Sequence, residues 1–273
     1  MIDVVKASNA TPNNKTAILG PLLSADEALA EYTNIHQSLQ FFDAVSLNDV
    51  QNSLLTRSDT KFLLSLSTLQ SLLPTLAKSY DVLDIDGERI FDYHNLYLDS
   101  EDMRLFQNHH RGVYPRHKVR YRYYQQTDDV FLELKAKGAS KQTVKLRERL
   151  NAKGGERLEA CQRITGLELT PKLRGRYKRI SLASKQNEER LTLDFDLHFG
   201  LPQGKKSIQL RNVVIAELKQ PRRSYHSPFA TQIRKSSALQ TSFSKYCVGC
   251  CYLYLELKHN HFKPLLQRLA KLA

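Results

Sequence analysis

The chain has 273 residues, a mass of 31.4 kDa and a net charge of +13, so it is long enough for one large domain and favours an anionic partner. It contains no run of 18 apolar residues and no apolar segment at its N-terminus, which predicts neither a transmembrane helix nor a signal peptide. Its four cysteines lack the spacing of a disulfide framework, so we expect a reducing, cytoplasmic location.

The first 50 residues differ in charge from the rest of the chain. They carry six acidic and two basic side chains, so the basic excess belongs to the later residues. Ser24 has the character of an N-cap and is followed by acidic residues, which predicts a helix over 24–39. A second short helix is predicted over 46–54. We therefore expect an N-terminal arm with helices at 1–50 and a main domain at 51–273.

From about Leu54 onward, apolar residues alternate with polar ones, which is typical of half-buried strands. Residues 68–80 are an exception, because their apolar spacing predicts a helix that contains Pro74. The segment 116–124, RHKVRYRYY, places a cation at every second position, so its cations share one face of a strand. These cations are Arg116, Lys118, Arg120 and Arg122. Each adjacent pair repels by about 2 kcal/mol, so we expect this face to meet an anion.

Three further segments, 130–137, 190–199 and 213–219, alternate in the same way. In the second of them, the alternation predicts that Asp194 and Asp196 share the charged face. An antiparallel sandwich with solvated charged faces would explain any single strand. Taken together, the cation-rich faces are typical of an α+β protein in which a closed antiparallel β-barrel surrounds a polyanion. The apolar faces would then point outward and be covered by helices.

Two segments are ambiguous between helix and strand. Residues 140–160 are predicted to form a mobile helix with a loop at Gly154 and Gly155. Lys145 would then lie either on a helix that caps the barrel or on a solvated helix face. The C-terminal residues 247–272 are predicted to be helical, because their last leucines have helical spacing.

Phosphate binding by this chain would depend on side chains. Neither the phosphate-binding loop G-x-x-x-x-G-K-[ST] nor the dinucleotide motif G-x-G-x-x-G occurs. Arginine binds phosphate oxygens through a planar fork, and lysine binds them as a movable point charge. The alternating cations therefore have the chemistry that a phosphate site without such a loop requires.

Nine motifs occur in an order that resembles the VTC domain, a family of polyphosphate polymerases within the triphosphate tunnel metalloenzymes and related to CYTH domains. The motifs are RSDTKF, NLYLDSEDMRLF, RHKVRYRYY, FLELKAK, VKLRERL, YKRISL, ERLTLD, AELK and SFSKYCVG. The resemblance covers about 54–249. It implies an antiparallel β-barrel tunnel with flanking helices and an N-terminal helical extension. It also implies transfer of the γ-phosphoryl group of ATP to inorganic polyphosphate, with Mn²⁺ or Mg²⁺ as the metal.

The resemblance further implies roles for individual residues. Lys61 and Glu217 would act at the reacting centre, and Glu217 would bind the metal with Glu133 as a further candidate ligand. The implied phosphate ligands are basic or hydroxyl-bearing residues of the tunnel lining. They are Lys61, Arg116, Lys118, Arg120, Arg122, Lys135, Lys145, Tyr177, Arg179, Arg190, Lys219, Ser244 and Lys245.

Two alternatives to a polymerase are a metal-dependent triphosphate or polyphosphate hydrolase on the same fold and a non-catalytic module that binds polyphosphate or nucleic acid. Hydrolytic tunnel enzymes usually begin with E-x-E-x-K, whereas residues 57–61 read R-S-D-T-K, which favours the polymerase. Binding of nucleic acid is disfavoured, because Tyr121 and Tyr123 point away from the arginines and could not stack on bases beside them.

Overall fold

The computed structural model describes residues 32–47, 58–139, 143–150, 154–203, 206–224, 226–236 and 238–272. Arg57, nearly all of the predicted helix at 46–54 and most of the N-terminal arm lie outside this part of the chain. Among the described residues, no helix combines the length and the apolar character needed to cross a membrane.

The described residues form strands of one sheet together with seven α-helices and one short 3₁₀ turn. The strands are β1 (Ala44–Val45), β2 (Ser58–Ser65), β3 (Tyr80–Leu83), β4 (Phe91–Asp99), β5 (Arg116–Tyr124), β6 (Asp129–Lys137), β7 (Thr143–Arg149), β8 (Thr170–Ser184), β9 (Arg190–Gly200), β10 (Ser207–Leu210), β11 (Val213–Gln220) and β12 (Leu239–Gln240). The helices are α1 (Thr33–Leu39), α2 (Leu66–Leu76), α3 (Arg104–Arg111), α4 (Gly154–Thr165), α5 (Pro228–Ile233), α6 (Lys245–Leu253) and α7 (Lys263–Ala270), with the 3₁₀ turn at Asn260–Phe262.

The main path of the sheet has the strand order β12-β2-β11-β9-β8-β4-β5-β6-β7, and every pairing along it is antiparallel. Short strands pair at its margins, and only β1 and β3 are parallel among the described strands. The hydrogen-bonded ladder ends at β12 and β7, yet residues near both ends line one cavity. The sheet therefore curves into a tunnel-like shape, but the described strands do not close into a hydrogen-bonded barrel as expected. Helices packed on an antiparallel sheet confirm the predicted α+β class.

Helices cover the convex face of the sheet. Ile35 of α1, Leu69 of α2 and Phe229 of α5 belong to one buried cluster with residues of β8, β9 and β11. On β5, Tyr121 is buried in a second cluster with Cys161 of α4. The predicted outward orientation of the apolar faces, with helices packed on them, is confirmed.

Helix α6 fills one end of the concave side. Its N-cap is Ser244, whose hydroxyl accepts a hydrogen bond from the backbone N–H of Cys247. A Cβ atom at Gly249 would lie 2.6 Å from Leu173 and 2.8 Å from Phe199, so glycine is needed for this close approach to the sheet. All four cysteines are buried and free. The helical prediction for 247–272 is confirmed in α6 and α7, whereas residues 254–262 between them form turns and the 3₁₀ turn.

The prediction of a helix over 140–160 is wrong for Lys145, which lies on strand β7. The strand pairs with β6 from Thr143 to Arg149, and α4 begins only at Gly154. Every residue of β7 is exposed at the edge of the sheet, so the segment is as polar as a solvated helix would be. Its period-two alternation is nevertheless that of a strand.

The expectation that Asp194 and Asp196 share a face is also wrong. Asp196 has a φ of 52°, and the β8–β9 register shifts between Arg176 and Lys178, so a β-bulge interrupts the alternation. A bulge adds one residue to a strand and redirects the side chains beyond it. Phe195 accordingly packs in the convex cluster, whereas Leu197 two residues later packs on the concave side.

Candidate functional site

The concave side of the sheet encloses a cavity of 430 Å³ that is lined mainly by charged side chains. Strands β2, β4 to β8 and β11 contribute to its wall, and the start of α6 closes one side. The cavity brings together most of the residues that the sequence predicted. They are Lys61, Lys118, Arg120, Arg122, Glu133, Lys135, Lys145, Tyr177, Arg179, Glu217, Lys219, Ser244 and Lys245.

Two predicted phosphate ligands do not line this cavity. Arg116 lines a neighbouring pocket of 400 Å³, where its guanidinium donates a hydrogen bond of 2.7 Å to the hydroxyl of Tyr114. Arg190, the first residue of β9, lies opposite Lys219 in the β9–β11 ladder and outside the cavity lining. The neighbouring pocket shares Lys118 and Lys135 with the cavity, so the two spaces adjoin.

Glu217 lies between two lysines. It is directly opposite Lys61 in the β2–β11 ladder, with Lys61 Nζ at 3.2 Å from one carboxylate oxygen and Lys219 Nζ at 3.5 Å from the other. Burial opposes ionisation of this carboxyl, but attraction to Lys219 and Lys61 outweighs the burial and holds the pKa of Glu217 well below its usual range. The carboxylate is therefore ionised throughout the physiological range.

Asp194 connects the sheet to helix α6. Its two oxygens accept hydrogen bonds of 2.5 and 2.8 Å from Arg179, and it also forms an ion pair with Lys245. Burial opposes its ionisation, but the charges of Arg179 and Lys245 outweigh the burial and lower the pKa of Asp194. The ammonium of Lys245 lies 4.1 Å from the ring centroid of Tyr177. These contacts fix the position of Lys245 at the cavity wall.

Glu133 is surrounded by arginines. Arg120 approaches one carboxylate oxygen at 2.6 Å and Arg147 approaches the other at 3.5 Å, while Arg122 lies 3.8 Å away. Arg122 also donates hydrogen bonds to Asn95 at 3.0 Å and to the Tyr177 hydroxyl at 3.2 Å. Both oxygens of Glu133 are thus engaged, which favours a counter-charge over a metal ligand. We refer to Glu133, Asp194 and Glu217, with their partner cations, as the carboxylate set.

Three lysines lie side by side on adjacent strands. Lys118 of β5 is directly opposite Lys135 of β6, which is directly opposite Lys145 of β7. Among the described residues, none of the three has an ion-pair or hydrogen-bond partner. Burial, with repulsion from Lys61 and Lys135, lowers the pKa of Lys118 to about 8, and the pKa of Lys135 is lowered for similar reasons. Like charges placed directly opposite one another destabilise a sheet. We refer to these three residues as the lysine row.

The described residues offer a metal ion few protein ligands at this site. In the part of the chain that the structure describes, no group of three or more His, Cys, Asp or Glu side chains could hold a metal. Mg²⁺ is commonly bound by one or two carboxylates, with substrate phosphates and water as its remaining ligands. Glu217 fits that chemistry because its partners are lysines, which carry a point charge on a flexible stem, whereas Glu133 is held by arginines.

The cavity also contains residues that the sequence analysis did not assign as ligands. Asp59, Tyr97 and Arg147 all line it. Arg147 is two residues from Lys145, so strand alternation identifies it once β7 is recognised as a strand. Tyr97 lies opposite Arg120 in the β4–β5 ladder, and no signal in its own motif indicates this.

Several solved structures are similar to this chain at low sequence identity. A candidate adenylyl cyclase from Hippeastrum, for which a dominant triphosphatase activity is described, is 15% identical with a TM-score of 0.44 over 74% of this chain and 99% of that one. A candidate adenylate cyclase from Bacillus halodurans is 13% identical with a TM-score of 0.41 over 77% and 98%. No curated protein sequence matches significantly. The model of the VTC domain matches residues 56–254.

Proposed function

The chain belongs to the VTC domain family, and we propose that it is a polyphosphate polymerase that transfers the γ-phosphoryl group of ATP to inorganic polyphosphate. The observation that carries this proposal is the lysine row, whose positive charges have no partner within the described part of the chain, whereas the other cations of the cavity lie close to carboxylates. A linear polyanion is the ligand that neutralises such a row. Phosphoryl transfer requires mainly positioning and charge neutralisation, which this cavity provides.

In this mechanism the triphosphate lies extended along the cavity wall. The lysine row and Lys61 bind its oxygens, and Lys245 is held in place by Asp194 to contact the same chain of phosphates. A divalent metal, Mn²⁺ or Mg²⁺, would neutralise phosphate charge when bound, and Glu217 is the residue that would hold it. The terminal oxygen of the acceptor polyphosphate attacks the γ-phosphorus in line. The bond to the β–γ bridging oxygen breaks, ADP leaves and the polymer gains one phosphate.

The proposed reaction needs no proton transfer to a protein side chain. Because cations keep the pKa of Glu217 low, the residue stays charged and accepts no proton from substrate. The terminal phosphate of the acceptor is already largely ionised at neutral pH, so the reaction needs no general base. The protein residues therefore bind and orient two polyanions whose mutual repulsion would otherwise keep them apart.

The direct test incubates purified protein with ATP and Mn²⁺ or Mg²⁺ and measures polyphosphate and free phosphate separately. We expect polyphosphate to accumulate with ADP. Release of free phosphate without polymer would identify a hydrolase, in which water replaces the acceptor phosphate. Neither product, with retained binding of triphosphate, would indicate a non-catalytic binding module.

Glu217→Gln tests the role of the carboxylate in the same assay. The amide keeps the size of the side chain but removes the charge that a divalent cation requires. We expect the variant to bind tripolyphosphate at least as tightly as the parent protein and to turn over very slowly at any metal concentration. Glu256→Gln, at an exposed position, is the matched control. Near-normal activity of Glu217→Gln would remove this residue from the metal site.

A further inference from the structure

At the edge of the cavity, two aromatic rings pack against an arginine of its wall. The guanidinium carbon of Arg147 lies 4.0 Å from the ring centroid of Phe131 and 5.3 Å from that of Tyr124. The two rings meet edge to face, with 5.5 Å between their centroids. Phe131 lies directly opposite Arg122, which lines the cavity, so its ring is on the concave face. The three side chains form a compact group, which we call the aromatic ledge.

Arg147 is held in this ledge but remains accessible. Phe131 covers one side of its guanidinium, and Glu133 approaches its Nε at 3.5 Å. Half of the side chain is nevertheless exposed, at 50%. Because Glu133 compensates part of its charge, Arg147 attracts a phosphate less strongly than the lysine row, which has no ion-pair partner among the described residues. What it presents to the cavity is a flat, polarisable surface.

The position of the ledge relative to the lysine row suits a nucleotide. Phe131 and Lys135 both lie on β6, four residues apart, which corresponds to about 14 Å along a strand. This separation is comparable to the length of an extended triphosphate with its ribose. A nucleotide whose terminal phosphates contact the lysine row would therefore place its base near the ledge.

We propose that the base of the nucleotide substrate stacks on Arg147, with Phe131 behind the guanidinium and Tyr124 beside it. This inference rests on the proposed function, because it assigns the part of the substrate that the phosphate ligands do not contact. Bases stack on arginine planes and on aromatic rings, and such stacking tolerates different bases. The ledge therefore distinguishes nucleoside triphosphates from inorganic tripolyphosphate without distinguishing adenine strongly from guanine.

The test compares the dissociation constants of ATP, GTP and tripolyphosphate by calorimetry in the absence of divalent metal, so that turnover does not interfere. Phe131→Leu keeps an apolar side chain but removes the ring, and Arg147→Lys keeps the charge but removes the plane. We expect each variant to weaken ATP and GTP binding by about tenfold and to leave tripolyphosphate nearly unchanged. Phe62→Leu, on the convex face beside Phe229, is the matched control and should change none of the three constants.

Equal losses for ATP and tripolyphosphate in both variants would identify Arg147 as a phosphate ligand and overturn the inference. Unchanged ATP binding in both variants would also overturn it, and either result leaves the proposed function intact. Failure of the parent protein to bind tripolyphosphate would instead overturn the proposed function, and the inference with it. Thermal unfolding of each variant shows whether the fold is retained. If Phe131→Leu does not fold, the dissociation constants of the conservative Arg147→Lys variant test the inference alone.

Discussion

The lysine row and the nearest part of the carboxylate set lie on the same three strands, two residues apart. In one layer Lys135 stands between Lys118 and Lys145, and in the next Glu133 stands between Arg120 and Arg147. The central residue on β6 decides the character of each layer. Where this residue is glutamate, the cations on both sides are paired in the free protein. Where it is lysine, the three cations repel one another unless an anion is bound.

This difference separates two tasks that a basic cavity must perform. The carboxylate set holds the wall together, since Asp194 joins helix α6 to β8 and Glu133 gathers the arginines of β5 and β7. The lysine row leaves charge uncompensated where the substrate has to bind. The carboxylate set therefore contributes most to the stability of the wall, and the lysine row contributes mainly to affinity.

The largest effect is expected from Asp194→Asn, which breaks the carboxylate set. The substitution leaves Arg179 and Lys245 close together without their shared counter-charge. Removing one partner of a buried ion pair costs about 3–5 kcal/mol, and we expect a loss of that size in the free energy of unfolding. Urea denaturation measures it, with Asp86→Asn, an exposed aspartate of a turn, as the control. A loss below about 1 kcal/mol would mean that Asp194 does not organise the wall.

Lys135→Glu should convert the lysine row into a copy of the neighbouring layer. The new carboxylate would stand between Lys118 and Lys145, so we expect the free protein to be as stable as the parent or more stable. Binding of tripolyphosphate should weaken by more than tenfold, because a charge-assisted contact worth about 1.5–3 kcal/mol is replaced by repulsion. Lys78→Glu, at an exposed site outside the cavity, controls for net charge. Lower stability together with unchanged affinity would contradict the division of tasks.

A smaller effect should appear in the pH dependence of stability. The pKa of Lys118 is lowered to about 8 in the fold, below that of an unfolded lysine, so the unfolded chain binds more protons between pH 8 and about 10. Stability should therefore rise with pH in this window. Relative to Lys118→Met, we expect the parent protein to gain about 1 kcal/mol, because water in the open cavity screens part of the shift. If the stability of the two proteins changed in parallel with pH, the pKa of Lys118 would not be lowered by the fold.

Much of this site is readable in the sequence, because strand alternation determines which residues share a face. The four alternating cations of β5 follow the expected period, and the motif order places Lys61, Tyr177 and Glu217 in one cavity. The division into a lysine row and a carboxylate set is not readable in the same way. It depends on the register between strands, which brings Lys145 opposite Lys135 only after β7 is recognised.

The sequence also hides contacts that depend on irregular backbone. The bulge at Asp196 turns this residue away from the face of Asp194, although polar and apolar residues alternate without interruption in the sequence around both. Asp194 finds its partners on β8 and on α6, and Lys245 is 51 residues away along the chain. Local patterns cannot reveal such partners, because they arise from the curvature of the sheet.

The central claim is that the lysine row is a shaped site for linear phosphate chains and not a diffuse basic surface. Thermal unfolding with tripolyphosphate or with sulfate at equal ionic strength tests it most directly. A ligand at 100 times its dissociation constant stabilises a protein by about 2.7 kcal/mol. We predict stabilisation of this order by tripolyphosphate, little by sulfate, and a clearly smaller difference between the two anions in Lys135→Glu. Equal stabilisation of the parent protein by both anions would contradict the claim.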